Sequence, residues 1–175
     1  EETSGILTDS SSNHNDGTTY GGVTQDYPGK IDGADSYDGV DDYSIVNNNA
    51  SLNFGTSSFS VMLWLRSRAT TSQDILDKKG GTADTTNAGY KLTISSVATN
   101  GYSVALGDGV NNVRLNTGSQ ASRGADVWTM FTAVVNRTEQ MMYIYIDGAA
   151  VSNASISTIG SVDNSQNLTL GRQAG

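Results

Sequence analysis

Apolar side chains along this sequence recur at every second position, in short runs parted by stretches rich in Gly, Asn, Asp, Ser and Thr. The clearest run is Val127–Gly148. In its first half Trp128, Met130, Thr132 and Val134 share one side, and Phe131, Ala133 and Val135 the other. In its second half Met142, Ile144 and Ile146 oppose Met141, Tyr143 and Tyr145. Period-two alternation of β-branched and aromatic residues predicts strands. Asn136–Gln140 supplies a turn between them, and Asp147-Gly148 a tighter one into Ala149–Ser152. Both faces of this hairpin are apolar, which suits a central position in two stacked sheets.

The same pattern predicts a strong strand over Phe59–Arg66, with Phe59, Val61, Leu63 and Leu65 on one face. Further strands are expected at Ala34–Tyr37, Tyr43–Val46, Ile75–Lys78, Tyr90–Ser95, Tyr102–Leu106, Val113–Asn116 and Asn167–Gly171. Asp9–Gly17, Gly21–Gly33 and Gly80–Ala88 read as loops, the last of a kind that often borders a ligand site. No long window carries the 3.6-residue period, so almost no helix is expected. Strands recurring at about ten-residue spacing imply an all-β fold, a two-sheet antiparallel β-sandwich. Its predicted core includes Trp64, Phe131, Val134, Ile144 and Ile146.

Composition narrows the function. A length of 175 residues is one domain with room for its own core. There is no cysteine, hence no disulfide and no thiolate metal site. A net charge of −8 excludes nucleic acid as a natural partner, and no apolar stretch predicts membrane insertion. The acidic residues are fifteen Asp against three Glu, and eight of the Asp fall between Asp9 and Asp42. Asp favours turns, so this region reads either as solvated acidic loops or as a site for Ca²⁺, which takes hard oxygen ligands on short side chains.

Three stretches carry a family resemblance: the Trp-led hairpin ending in Asp147-Gly148, the loop Asp9-Ser-Ser-Ser-Asn-His-Asn-Asp-Gly17, and Ser36-Tyr-Asp-Gly-Val-Asp-Asp-Tyr-Ser-Ile45. In this order they resemble the laminin-G-like, concanavalin-A-like jelly rolls. The resemblance implies a jelly-roll sandwich and a module of an extracellular or cell-surface protein, with a glycan or a cell-surface protein as partner. It also implies one Ca²⁺ between the two acidic loops, with Asp9, Asn13, Asp16, Asp38, Asp41 and Asp42 as ligands. Beside that reading stands a local one, in which Asp9, Asp16 and Asp38 cap turns through their own backbone. Family members carry one more strand at each end, so an open edge is expected after Leu7 and before Asn167. A flanking chain or a donated strand would fill it.

Catalysis has little support. Glucan hydrolases on this fold need closely spaced Glu residues, and here Glu occurs only at 1, 2 and 139. The single histidine, His14, lies in a polar loop without a nucleophile elbow nearby. Sugar binding needs aromatic faces outside the core, with Asn and Asp around them. The candidates are Tyr20, Tyr27, Tyr37, Tyr43, Tyr90 and Tyr102, with Tyr20, Tyr27, Tyr90 and Tyr102 preferred. Taken singly, each reads more readily as an ordinary strand tyrosine. A non-catalytic glycan-binding or adhesion module is therefore expected. A structural subunit completed by a partner strand is the alternative, and a hydrolase or lyase the remote one.

Overall fold

The computed structural model describes residues 5–68, 71–94, 101–118, 126–172 and 174. Fourteen strands and one 3₁₀ turn appear among them. They are β1 (Ile6–Leu7), β2 (Gly17–Tyr20), β3 (Thr24–Pro28), β4 (Gly33–Ser36) and β5 (Tyr43–Val46), then the turn at Ala50–Leu52 and β6 (Phe59–Leu65). Next come β7 (Gln73–Asp77), β8 (Gly89–Ile94), β9 (Tyr102–Gly107), β10 (Asn112–Asn116), β11 (Thr129–Asn136), β12 (Met141–Ile146), β13 (Ala149–Ser155) and β14 (Leu168–Leu170). The expected strands are present to within a residue or two. β1, β2 and β3 are additional, and β3, which pairs with the expected β4, corrects the reading of Gly21–Gly33 as a loop. That segment is polar and half-exposed, so no apolar alternation marks it.

Eight strands form one antiparallel sheet in the order β1-β2-β5-β14-β7-β8-β9-β10, and four form the other, β13-β12-β11-β6. The core lies between them. Tyr90, Leu92 and Ile94 of β8 and Tyr102, Val104 and Leu106 of β9 meet Phe131, Ala133 and Val135 of β11 and Met142, Ile144 and Ile146 of β12. Tyr90 and Tyr102 are each 4 % exposed, which removes them from the candidate sugar platforms. The reason is parity: each sits an even number of residues from core leucines and valines of its own strand. The Tyr90 hydroxyl donates to the Leu52 carbonyl, and burial pushes its pKa up.

Phe131, Ile144 and Ile146 are fully buried as expected. Trp64 and Val134 are not core residues. Trp64 is 38 % exposed, and Val134 is half-buried, paired with Ser60 and Tyr143 on the solvent side of the smaller sheet. Lys30 covers the Trp64 ring at 5.4 Å, and Met62 beside it is 68 % exposed. The expected open edge before Asn167 is also absent, because β14 is hydrogen-bonded to β5 on one side and β7 on the other. Among the described residues the smaller sheet has two long edge strands with a single partner each, β13 and β6. The inward Phe59, Val61, Leu63 and Leu65 of β6 are only partly buried.

One turn at the rim ties the sheets together and makes stability pH-dependent. The Asp108 carboxylate accepts from the amides of Val110, Asn111 and Gly160 at 2.8, 2.6 and 2.7 Å. These amides, Asn111 first, hold its pKa well below the usual carboxylate range. A depressed pKa means the charged form favours the fold. This stability is present above the unfolded value near about 3.9 and is lost as pH falls toward the folded one. Melting temperature should therefore drop on acidification below about pH 4, and Asp108→Asn should flatten that drop. Parallel curves for the two proteins would show that Asp108 contributes nothing to it.

Candidate functional site

The outer face of the larger sheet carries the site. β2 and β5 pair in register, so Tyr20 lies opposite Tyr43, and Thr18 opposite Ile45, all on the side away from the core. The Tyr20 and Tyr43 rings stack at 4.9 Å with 14° between their planes, and Tyr20 is 43 % exposed. The Arg172 guanidinium, just past the end of β14, lies 3.6 Å over the Tyr43 ring. Two open cavities adjoin this stack. One, of about 350 Å³, is lined by Asp41, Asp42, Tyr43, Gln73 and Arg172. The other, of about 380 Å³, runs on from Gln73 and Arg172 past Asp74, Lys91 and Thr93 to Arg114. Because they share Gln73, Gly171 and Arg172, they form one polar groove with an aromatic shoulder.

A strand irregularity builds the groove floor. In a regular strand Asp74 and Asp77 would point to opposite faces. The register of β7 against β8 shifts between Asp74 and Leu76, which puts Asp74 opposite Thr93 and Asp77 opposite Lys91, all outward. Lys91 Nζ then donates to Asp74 at 2.8 Å, to Asp77 at 3.0 Å and to the Gly81 carbonyl at 2.8 Å. Asp77 also accepts from the amides of Lys79, Gly80 and Ala174. Burial pushes the Asp74 carboxyl up even though Lys91 pulls it down. Lys79 and Lys78 lie beneath the same loop and are 1 % exposed. Lys79 donates to the Thr85 carbonyl, and Lys78 to Asn48, Asn164 and the Gln166 carbonyl. Burial lowers the pKa of both. Lys79 and Lys91 thus fasten Gly80–Ala88 against the sheet, so the loop expected to border a ligand site is held as the groove's wall.

Of the preferred tyrosines, the structure brings only Tyr20 to this surface. Tyr27 is 39 % exposed on β3 but faces Arg66, which lies between it and Trp128 at 5.6 and 5.2 Å. Tyr37 is turned inward, its hydroxyl bonded to Ser44, and burial pushes its pKa up to about 12. Arg172, Arg114 and Gln73 were not legible as site residues. Tyr43, a candidate as an aromatic outside the core, and Asp41 and Asp42, candidates as oxygen ligands, were legible beside Tyr20.

The acidic loops are separated by the β2–β5 ladder. Gly17 pairs with Val46 at one end and Tyr20 with Tyr43 at the other. Asp16 and Asp42 therefore flank opposite ends of a ladder roughly 10 Å long. This corrects the shared site of Asp9, Asn13, Asp16, Asp38, Asp41 and Asp42. Asp9 caps its own loop, accepting from the amides of Asn15 and Ser11, which in that order lower its pKa, and Asp16 accepts from the Asp9 amide. Asn13 is exposed, its amide donating to the Ser11 hydroxyl. Asp38, Asp41 and Asp42 do converge, with carboxylate oxygens within 4.8 Å of one another, and are the one such acidic group among the described residues. There the Asp38 amide donates to Asp42, and the Val40 amide to Asp38.

Fold and groove define a two-sheet β-sandwich binding module. The sequence matches, over residues 4–174, the family described as Clostridium neurotoxin, N-terminal receptor binding, and the chain belongs to that family. The family is one of receptor binding, not of catalysis. The resemblance to laminin-G-like jelly rolls holds for the all-β sandwich; the family matched is that of the toxins. Among solved structures, the chain is similar to the binding domain of Paraclostridial Mosquitocidal Protein 1, at 19 % identity and TM-score 0.79, covering 99 % of this chain and 43 % of that one. It is similar to the binding domain of botulinum neurotoxin DC in complex with SialylT, at 20 % and 0.68, covering 96 % and 41 %. It is also similar to the serotype D ligand-binding domain in complex with N-acetylneuraminic acid, at 22 % and 0.56, covering 74 % and 32 %. Identities this low establish the fold, and the chain spans less than half the length of these structures. No curated protein matches.

Proposed function

We propose that this chain is a non-catalytic glycan-binding module acting at a cell surface, and that sugar lies on the Tyr20–Tyr43 stack and along the adjoining groove. The observation that carries this is the exposed aromatic pair at the mouth of a polar cleft. Aromatic faces pack on the apolar faces of sugar rings, while Gln73, Thr93 and the groove carboxylates offer partners for hydroxyls. Sialylated ligands in complexes of two structurally similar toxin domains support the same class of ligand. The setting is extracellular, in keeping with a receptor-binding family.

A glycan array followed by NMR titration tests this. The wild-type chain should give hits of millimolar to micromolar affinity. Tyr43→Ala should weaken them about tenfold, the equivalent of about 1.4 kcal/mol. Hits that survive unchanged in a folded Tyr20→Ala/Tyr43→Ala variant would place the sugar elsewhere. An array with no hits would turn the reading toward a protein partner.

Calcium belongs to this proposal at the Asp38–Asp42 turn alone. Ca²⁺ should raise the melting temperature, since a ligand bound only by the native state stabilises it by mass action. Asp38→Asn/Asp41→Asn should abolish the rise, while Asp9→Asn should leave it in place. An identical melting curve with excess Ca²⁺ and with excess chelator would rule the ion out.

A further inference from the structure

We propose that Lys91 and Asp77 are the reactants of an intramolecular side-chain amide, a covalent staple beneath the groove formed with loss of one water, and that Asp74 carries the proton. The proposal is independent of what the groove binds. Lys91 Nζ lies 2.8 Å from Asp74 Oδ2 and 3.0 Å from Asp77 Oδ2. Asp77 is fully buried, Lys91 is 1 % exposed, and Asp74 lines the groove above them. An ion pair needs only one of these carboxylates. Together the three residues are an amine nucleophile, a carboxyl electrophile and a proton shuttle held at contact distance, on two strands whose pairing places Asp77 opposite Lys91.

The two oxygens of Asp77 are placed for different tasks. Oδ1 accepts from the backbone amides of Lys79 at 2.7 Å and Gly80 at 3.0 Å. Oδ2 faces Lys91 and accepts from the Ala174 amide at 2.9 Å. Two amides aimed at one oxygen form an oxyanion hole, here on the oxygen that takes the negative charge once nitrogen adds to Cγ. Asp74 accepts from Lys91 Nζ, and among the described residues no backbone amide donates to it. That difference makes Asp77 the electrophile and Asp74 the shuttle. Burial pushes the Asp74 carboxyl up, which suits a group that holds a proton in transit.

The atoms balance without any outside reagent. The Lys91 ammonium gives one proton to Asp77 Oδ2 across their hydrogen bond, leaving an amine and a carboxylic acid. The nitrogen lone pair adds to Cγ, so the Nζ–Cγ bond forms as Oδ1 takes the charge. Asp74 removes a second proton from nitrogen and delivers it to Oδ2. The Cγ–Oδ2 bond breaks and water leaves; the amide keeps the third proton, and Asp74 is again a carboxylate. The product replaces two buried charges by one neutral group, which relieves the desolvation cost of a buried ion pair. The chain has no cysteine, so a disulfide cannot do this work. The bond encloses Gly80–Ala88, fixes the groove's wall to the sheet and, like a disulfide, restricts the unfolded chain.

Mass spectrometry of the full chain tests this. After incubation in the folded state the intact mass should be lower by one water, and proteolysis should yield a branched peptide joining the segments of Asp77 and Lys91. Lys91→Arg keeps the charge without the amine and should retain its full mass. Asp74→Asn still accepts a hydrogen bond but cannot shuttle a proton, so linkage should slow at least about tenfold. An undiminished mass for the wild type after prolonged incubation would overturn the proposal, and that result requires no variant to fold. A water loss that hydroxylamine reverses would also overturn it, since that marks a succinimide at an Asp-Gly pair instead of an amide. A branch mapped to Asp74, or linkage at the wild-type rate in folded Asp74→Asn, would overturn the roles given to the two carboxylates.

Discussion

Asp77→Ala is expected to cost about 3–5 kcal/mol, the loss seen when one partner of a buried ion pair is removed. Asp77 is fully buried, and its two oxygens serve four donors: Lys91 Nζ at 3.0 Å, and the amides of Lys79 at 2.7 Å, Gly80 at 3.0 Å and Ala174 at 2.9 Å. Truncation leaves those amides without an acceptor and Lys91 with Asp74 and the Gly81 carbonyl. The wall of the groove depends on the same carboxylate, so ligand binding should weaken along with stability. Urea denaturation of the two proteins measures the cost as a shift in midpoint. Adding Lys91→Met to the alanine variant should recover part of it, because the stranded charge is then gone. A loss below about 1 kcal/mol would mean that water or a neighbouring group replaces the carboxylate, and that the network is weaker than its geometry.

Ile144→Ala is the second large effect, at about 2–5 kcal/mol from lost burial and the cavity left behind. Ile144 is fully buried at the centre of the smaller sheet, paired with Ala133 on one side and Ser152 on the other. Its side chain packs between the sheets with Phe131, Met142 and Ile146. For a domain of this size the melting temperature should fall by about 2–4 °C for each kcal/mol. Met62→Ala, on the solvent side of β6 in the same sheet, provides the contrast and should stay within about 0.5 kcal/mol. Similar losses at the two positions would mean that the inward face of the sheet is assigned wrongly.

Strand positions were legible because alternation is a local property of the chain. β5, β6, β8, β9 and the β11–β12 hairpin fall within a residue or two of the runs that predict them. Which face turns inward was harder wherever both faces are apolar. In β11, Val134 is as hydrophobic as Val135, and only the second sheet decides that Val135 is buried. Tyr90 and Tyr102 were decidable, since their parity with Leu92 and Val104 already pointed to the core.

The sequence by itself determined the all-β class, the spacing of the strands, and the acidic turn that collects Asp38, Asp41 and Asp42. All of these rest on residues near one another in the chain. Only the tertiary structure decided the site. The groove joins Tyr20 of β2, Tyr43 of β5, Asp74 of β7, Lys91 of β8 and Arg172 beyond β14, and their order across the sheet is not their order in the chain. The register shift in β7 that turns Asp74 and Asp77 to one side leaves no mark in composition. Lys78 and Lys79 fall where an expected strand gives way to an expected loop, yet both are buried, because carbonyls and side chains from Asn48, Thr85, Asn164 and Gln166 converge on them. Hydrogen-bond acceptors brought together from distant segments make that burial tolerable, and such convergence exists only once the sheets have formed.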